Sequence, residues 1–516
     1  MAYSTQQKQR QVVDIARSIF SHNNLYLIGT AEKGAVNVPV RVNNLKQAKR
    51  YFGDNGTLIE AMKQLEGIPS RQEIYLVKTT GSHATCYLNL NDFGSETHNG
   101  VFMIRSVHAY DLANEIQVTV GEEALEVIPP ASTGLPTLTY SYKSHPTIGQ
   151  LIEAINADAK DGISVVEAQC SFGEHLLTEL SLKVCNVTHH RLTGGNSGLN
   201  ATKNRLYYAL ADTYSVLEGL EVDIIVPLEC HIDDLQEDFS HYGDGTYGNS
   251  SYNNKDDRLS LCYGTRHLTY YDQLLEYCYR QLSSGIFTHG VIGFHPTEEK
   301  SIERWAKAWT KTKENSLYFS TYAYLVSVVA GDLHYNYYQS KGSGALAYAS
   351  LISGLSVEQC PYNHPFTSTL QLAHEFTRQE SRDLNELGFV TFRNSLLHQT
   401  VVAHHDGTPY IDDELGLRYF HNVRMCQIVA KAVRQVVDQY IGENLNRLLK
   451  YNSLEQDVEK LLTIFHERGI IKEYQFKIDL NESLGTAHIR LSMKAKYMIE
   501  SVEVIGQIQT EGVQDE

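Results

Sequence analysis

Apolar positions along this chain recur with two periods, and the changes of period mark its parts. Near the carboxyl end, Tyr474, Phe476, Ile478 and Leu480 alternate with Gln475, Lys477 and Asp479, the period of a half-buried strand. A turn over Asn481–Gly485 leads into a second strand, in which Ile489, Leu491 and Met493 alternate with His488, Arg490 and Ser492. A third β-rich run extends from Met498 to Ile508. A closing strand of this kind can pair within its own sheet or add to the sheet edge of a neighbouring molecule. Just upstream the period lengthens. Leu454, Val458, Leu461, Leu462 and Phe465 share one face of a helix over Ser453–Arg468, with Ser453 as N-cap and Gly469 beyond its end. The longest helix is expected over Leu417–Leu449, bent near Gly442.

From the amino end, the pattern predicts strands at Leu25–Thr30 and Val36–Val42. Helices follow at Asn44–Phe52, capped by Asn43 or Asn44, and at Leu58–Leu65, then a strand at Glu73–Val77. Short strands then dominate, at Cys86–Leu90, Val101–Ser106, Asn114–Val120, Ala124–Ile128, Thr137–Tyr142 and Ser181–His189, broken by one helix at Thr147–Ala157. From Asn204 strands and helices alternate again: Val222–Pro227, Thr288–Phe294 and Ala323–Val329 with helices Asn204–Leu217, Tyr270–Ser284 and Ser301–Thr312. Gly342–Ser353 reads as a small-residue helix, Ser381–Leu387 as a short one, and Phe389–Asn394 with Leu397–Ala403 as a hairpin. The order is that of an α/β (α+β) chain with a β-rich module inserted into it. Met1–Asn24 stays open. Val13, Ile15 and Ile19 fit a strand, whereas Val12, Ala16, Ile19 and Phe20 fit a helix.

Length and composition narrow the classes. A chain of 516 residues implies about three domains at ~150 residues each. Net charge is −17, which argues against a general phosphate-binding surface, so no direct nucleic-acid partner is expected. No signal-peptide pattern opens the chain, and the best apolar run, Tyr322–Ala330, is less than half the ~20 residues that span a bilayer. Membrane insertion is therefore not expected. The eight cysteines include no Cys-x-x-Cys and read as reduced thiols of a protein made in a cytoplasm. Tyrosine is abundant, 33 against 2 tryptophans, and suits interfaces and cores equally.

Candidate chemistry is sparse. Gly243–Gly248 matches G-x-G-x-x-G but sits inside the polar stretch Asp233–Asp257, without the strand and helix the motif needs. Gly194–Gly198 has the composition of an anion-wrapping loop and reads better as a tight junction at the end of the inserted module. His189-His190 and His404-His405 are neighbours, which on a strand face opposite ways and cannot chelate as pairs. Asp233-Asp234, Asp256-Asp257 and Asp412-Asp413 read as solvated turns. No catalytic residues, cofactor or metal are expected.

Several stretches taken together resemble one family, the contractile tail sheath proteins of bacteriophages and related injection machines. They are Leu27–Gly34, Val38-Pro39-Val40 and Phe52-Gly53; Asn114–Val120; Thr193–Gly198; Gly344–Ala347 through Pro361; Leu384–Gly388; and Tyr440-Ile441-Gly442 with the closing strands. The resemblance runs from Leu25 to Ile508. The amino-terminal segment lacks the proline found in many relatives, and Asp233–Asp257 has no counterpart.

The resemblance implies an inner α/β domain formed by both chain ends and a division into an amino-terminal arm (1–24), a first core part (25–83), an inserted β-rich outer domain (84–193), a middle domain (194–380), a carboxyl-terminal inner domain (381–500) and a carboxyl-terminal arm (501–516). It implies a non-enzymatic subunit of stacked six-fold rings that polymerises helically around a tail tube. The partners would be further copies of itself, the tube protein, and the baseplate and tail terminator proteins. The polymer would be assembled in the host cytoplasm, reside in the virion, and contract to drive the tube through the host envelope. The arms would contact neighbours through Val13, Ile15, Ile19, Ile499, Val502, Val504, Ile505 and Ile508. The accepting sheet would present Tyr474, Phe476, Ile478, Ile489, Leu491 and Met493. An injection-device sheath, or an α/β enzyme with an unrecognised site, are the alternative readings.

Overall fold

A computed structural model describes residues 12, 14–15, 23–66, 72–91, 99–121, 123–170, 190–232, 270–294, 321–335, 340–356, 359–366, 370–410, 416–441, 453–481 and 486–495. Two compact units divide the chain. The larger comprises Ser21–Leu355 with Pro361–Phe420, and the smaller comprises Met1–Phe20, Ser356–Cys360 and His421–Glu516.

The larger unit is built on a six-stranded sheet. Its strands are β1 (Asn24–Gly29), β2 (Pro39–Val42), β3 (Glu73–Lys78), β11 (Ile224–Pro227), β12 (His289–Phe294) and β13 (Val326–Ala330), in the order β13-β12-β11-β1-β3-β2. Only β2 is antiparallel to its neighbour. Parallel strands are covered on both faces, and β1 shows how its continuous apolar run serves that need. Leu25 and Leu27 enter one core with helices α1 (Leu45–Phe52) and α2 (Thr57–Glu66) and the small-residue helix α6 (Gly344–Gly354). Tyr26 and Ile28 enter the other with α4 (Lys203–Leu217) and α5 (Tyr270–Ser283). Asn44 caps α1 through its side chain, which accepts from the Gln47 N–H, and Gly53 follows with φ of 88°.

That second face decides what the tyrosines do. Tyr214, Tyr270, Tyr271 and Tyr277 are fully buried, and Tyr214 stacks on Tyr277 with ring centroids 4.9 Å apart. They fill a core rather than line an interface.

The inserted module has its own core. Strands β4 (Thr85–Asn91), β5 (Asn99–Ser106) and β9 (Val166–Cys170) make one sheet. A second contains β6 (Gln117–Val120), β7 (Ala124–Ile128), β8 (Leu138–Ser141) and β10 (His190–Arg191). Helix α3 (Ile148–Lys160) buries Ile148, Leu151 and Ile155 among them, and Thr147 with Gln150 forms a capping box at its start. Strand β9 was not expected from the sequence, although Val166 and Ala168 alternate inward; it pairs antiparallel with β5. The strand expected at Ser181–His189, the helix at Ser301–Thr312 and the loop Asp233–Asp257 lie outside the described residues.

Residues 381–420, expected to belong with the carboxyl-terminal domain, pack in the larger unit. Val390 and Phe392 join one of its cores, Leu384 and Phe389 the other. The physical reason is pairing: Val390 bridges to Val329 beside the main sheet. Short strands β14 (Leu333–Tyr335), β15 (Ser340–Gly342) and β16 (Leu370–Leu372) precede helix α7 (Arg378–Glu386), and β17 (Phe392–Ser395) with β18 (Thr400–Ala403) forms the expected hairpin.

In the smaller unit helix α8 (Phe420–Asp438) is followed by turns through Ile441, beside the bend expected near Gly442, and residues 442–449 of the expected helix lie outside the described residues. Helix α9 (Ser453–Glu467) and the hairpin of β19 (Ile471–Asn481) and β20 (Thr486–Ala495) complete it. No described helix is long and apolar enough to cross a membrane.

Candidate assembly interface

The smaller unit is organised around the hairpin. Helix α9 buries Leu454, Val458, Leu461, Leu462 and Phe465, the stripe expected from its spacing. The Gly469 N–H donates to the His466 carbonyl and the Ile470 N–H to that of Phe465, with φ of 73° at Gly469, so the chain reverses directly into β19. From α8, Met425, Val429, Ala432 and Val436 join the same core. Tyr440 closes it, donating from its hydroxyl to the Asp457 carboxylate.

The antiparallel register sets Tyr474 opposite Met493, Phe476 opposite Leu491 and Ile478 opposite Ile489. All six are half-buried and pack on this core, so the residues named as an accepting sheet share one face. Gln475, Lys477, Arg490 and Ser492 are exposed on the other. The Tyr474 hydroxyl donates to Glu459 Oε1 at 2.9 Å, and partial burial raises its pKa above the usual tyrosine value. Lys477 and Asp479 pair at 2.6 Å on the outer face. Among the described residues the sheet has only these two strands. A further strand added alongside β19 or β20 would extend such a sheet.

Of the expected arm residues, Ile15 is described. Val12, Asp14 and Ile15 are helical, so the helical spacing and not the strand alternation holds at these positions. Ile15 is half-buried against the unit's own core, and Val12, the first residue of the helical spacing, is fully buried in it. Val13, Ile19, Ile499, Val502, Val504, Ile505 and Ile508 lie outside the described residues.

The stretches weighed for chemistry resolve into structure. Every backbone N–H from Gly195 to Gly198 is already spent. They donate to Asn114 Oδ1 (2.9 Å), the Ser82 carbonyl (3.0 Å), Asp111 Oδ1 (3.2 Å) and Asn196 Oδ1 (2.6 Å) in turn. These four N–H groups are thus not available to an anion, and the loop straps β3's continuation to the inserted module. Gly198 is required: φ is 72°, and a Cβ would lie 2.5 Å from the Gly81 nitrogen. Gly243–Gly248 lies outside the described residues. Among the described residues no group of three or more His, Cys, Asp or Glu side chains is placed to hold a metal ion.

A doubly wound parallel sheet, an inserted β-rich module and a helix-backed terminal hairpin together define the fold of a sheath tail protein. The chain is similar to a sheath tail protein of Listeria innocua, with 10% identity over 95% of this chain and 96% of that one and a TM-score of 0.56. It is also similar to a sheath tail protein of Desulfitobacterium hafniense (11% identity, 93% and 97% covered, TM-score 0.48). A further match is a chain of the anti-feeding prophage baseplate in its contracted state (13% identity, 96% and 94% covered, TM-score 0.45). No family sequence model matches the chain, and no curated protein matches it by sequence.

Proposed function

We propose that this chain is a structural, non-catalytic subunit of a contractile bacteriophage tail sheath. It polymerises helically in stacked six-fold rings around a tail tube, meets baseplate and terminator proteins at the polymer ends, and contracts to drive the tube through the host cell envelope. The observation that carries this reading is the fold shared along nearly the whole length of this chain and of the Listeria sheath tail protein.

The hairpin supplies the joint. A carboxyl-terminal arm, residues 501–516 with the run from Ile499 to Ile508, adds as a strand alongside β19 or β20 in a neighbouring copy. About five ladder bonds contribute ~1 kcal/mol each, which ordering costs of ~1–2 kcal/mol per residue cancel. Burial of Ile499, Val502, Val504 and Ile505 then decides the affinity, and many arms per polymer multiply weak joints into a stable lattice. The amino-terminal segment with Val13, Ile15 and Ile19 forms a second link, to which Ile15 adds only the part of its surface that its own unit's core leaves uncovered.

Deleting Ser501–Glu516 tests the joint. The expected product is a folded monomer that forms no tubes in negative-stain microscopy. Tubes of normal length from the deleted chain would refute the arm assignment.

A further inference from the structure

We infer that the inserted module is latched to the main sheet at Ala109, and that protonation of His83 and His108 opens the latch. Two passages of chain join module and sheet, residues 79–84 after β3 and 192–202 before α4. They pair with one another. Ser82 and Asn196 exchange backbone hydrogen bonds of 3.0 Å, and Thr85 and Thr193 exchange bonds of 2.8 and 3.0 Å. Two paired passages running side by side have the geometry of a hinge. Ala109, which follows β5, ties the module down beside that hinge. Its N–H donates to the Gly34 carbonyl at 3.0 Å, and its own carbonyl accepts from the buried Lys78 ammonium.

The two histidines flank this contact. His108 precedes Ala109 in the chain, and His83 Nδ1 lies 2.7 Å from the Ser106 carbonyl oxygen. The Ser106 hydroxyl in turn accepts from the Ala84 N–H and donates to the His108 carbonyl. The charges around the rings come from several elements. Lys33, beside Gly34, and Lys78, at the end of β3, face His108, as does His83. Arg105 of β5 and Glu167 of β9 face His83 and pair with each other, and Lys78 faces it too. Asp111 opposes Lys78, but its carboxylate accepts from the Ser197 N–H at 3.2 Å and the Ser197 hydroxyl at 3.1 Å.

A neutral imidazole suits this place and an imidazolium does not. Burial, with Lys33, Lys78 and His83 beside it, lowers the His108 pKa from 6.5 to about 4. Burial also lowers that of His83, against the opposing effect of its bond to Ser106. A further cation here would be buried among like charges, a costly state. Apart from charge, the buried His108 Nδ1 has no hydrogen-bond partner among the described residues. Release of Ala109 admits water, which satisfies that nitrogen and lets the ring take a proton at its ordinary pKa. The sign follows. A lowered pKa in the closed state favours closure fully above pH 6.5, and the advantage is lost as pH falls from 6.5 towards 4. At pH 5 His108 alone raises the ratio of open to closed forms about thirtyfold.

The latch stands apart from the sheath reading and is tested on the full chain by hydrogen exchange read by mass spectrometry. Protection at pH 8 and pH 5, corrected for the pH dependence of chemical exchange, is compared for the segment around Ala109 and for β1. The Ala109 amide, which donates to Gly34, is expected to lose protection about thirtyfold or more at pH 5, while β1 keeps its own. His108→Gln should cut that loss to the part His83 supplies, and His83→Gln/His108→Gln should abolish it. Protection of β1 at pH 8 checks that the variants fold, and the wild-type comparison decides the matter even where one does not. Constant protection around Ala109 in the wild type, an equal loss in β1, or the same loss in the double variant overturns the proposal.

Discussion

Replacing Lys78 by methionine isolates the cost of burying one charge at the end of the central sheet. Lys78 is fully buried, and its ammonium donates to the Ala109 carbonyl oxygen. Burial pulls its pKa from 10.5 down to about 8, against the opposing pull of Asp111. At 1.36 kcal/mol per pH unit this lowering costs about 3 kcal/mol while the group stays charged. The sign follows from proton binding. Between pH 8 and 10.5 the unfolded chain holds the proton that the folded chain has released, so stability rises with pH across that window. Below pH 8 the full cost applies. Methionine removes the charge and leaves the Ala109 carbonyl without this donor, a loss of about 1–3 kcal/mol. Near pH 7 the variant is therefore expected to equal wild type or exceed it by up to about 2 kcal/mol. Above pH 10.5 it should be the less stable by about 1–3 kcal/mol. Urea unfolding of both proteins at pH 7 and 10.5 gives the difference directly, since every other titrating group is common to both. A wild-type-minus-variant difference that does not change with pH would refute the reasoning.

Three further outcomes follow from single contacts. Phe465→Ala removes a fully buried ring from the core under the hairpin and is expected to cost about 3–5 kcal/mol in thermal unfolding of the smaller unit. Thr377→Ala removes the α7 capping box and should cost about 1 kcal/mol, seen as faster amide exchange at Glu380 and Ser381, while Thr377→Ser should restore it. Gly198→Val meets both a left-handed φ and the Gly81 nitrogen, so it should expose the junction strap to proteolysis between residues 190 and 200 without melting the main sheet.

Much of this architecture was legible because burial writes a period into the sequence. The stripe of α9 and the alternation of β19 and β20 placed both elements and their apolar faces, since each has one wet side. In β1 the continuous run Leu25–Ile28 marked a strand covered on both sides, but which residue faced which layer needed the structure. Tyrosine was ambiguous because its ring suits cores and interfaces alike; Tyr214 and Tyr277 stack inside a core, whereas Tyr51 and Tyr208 are exposed. Chain order misled for residues 381–420, whose packing partners are Val329 and its neighbours rather than the helices that follow.

The proposed sheath role requires that this chain polymerise. Negative-stain electron microscopy of the purified protein reads that out. Tubes or stacked rings with six-fold symmetry are expected. Uniform monomers at all concentrations, carrying a bound small ligand, would contradict it.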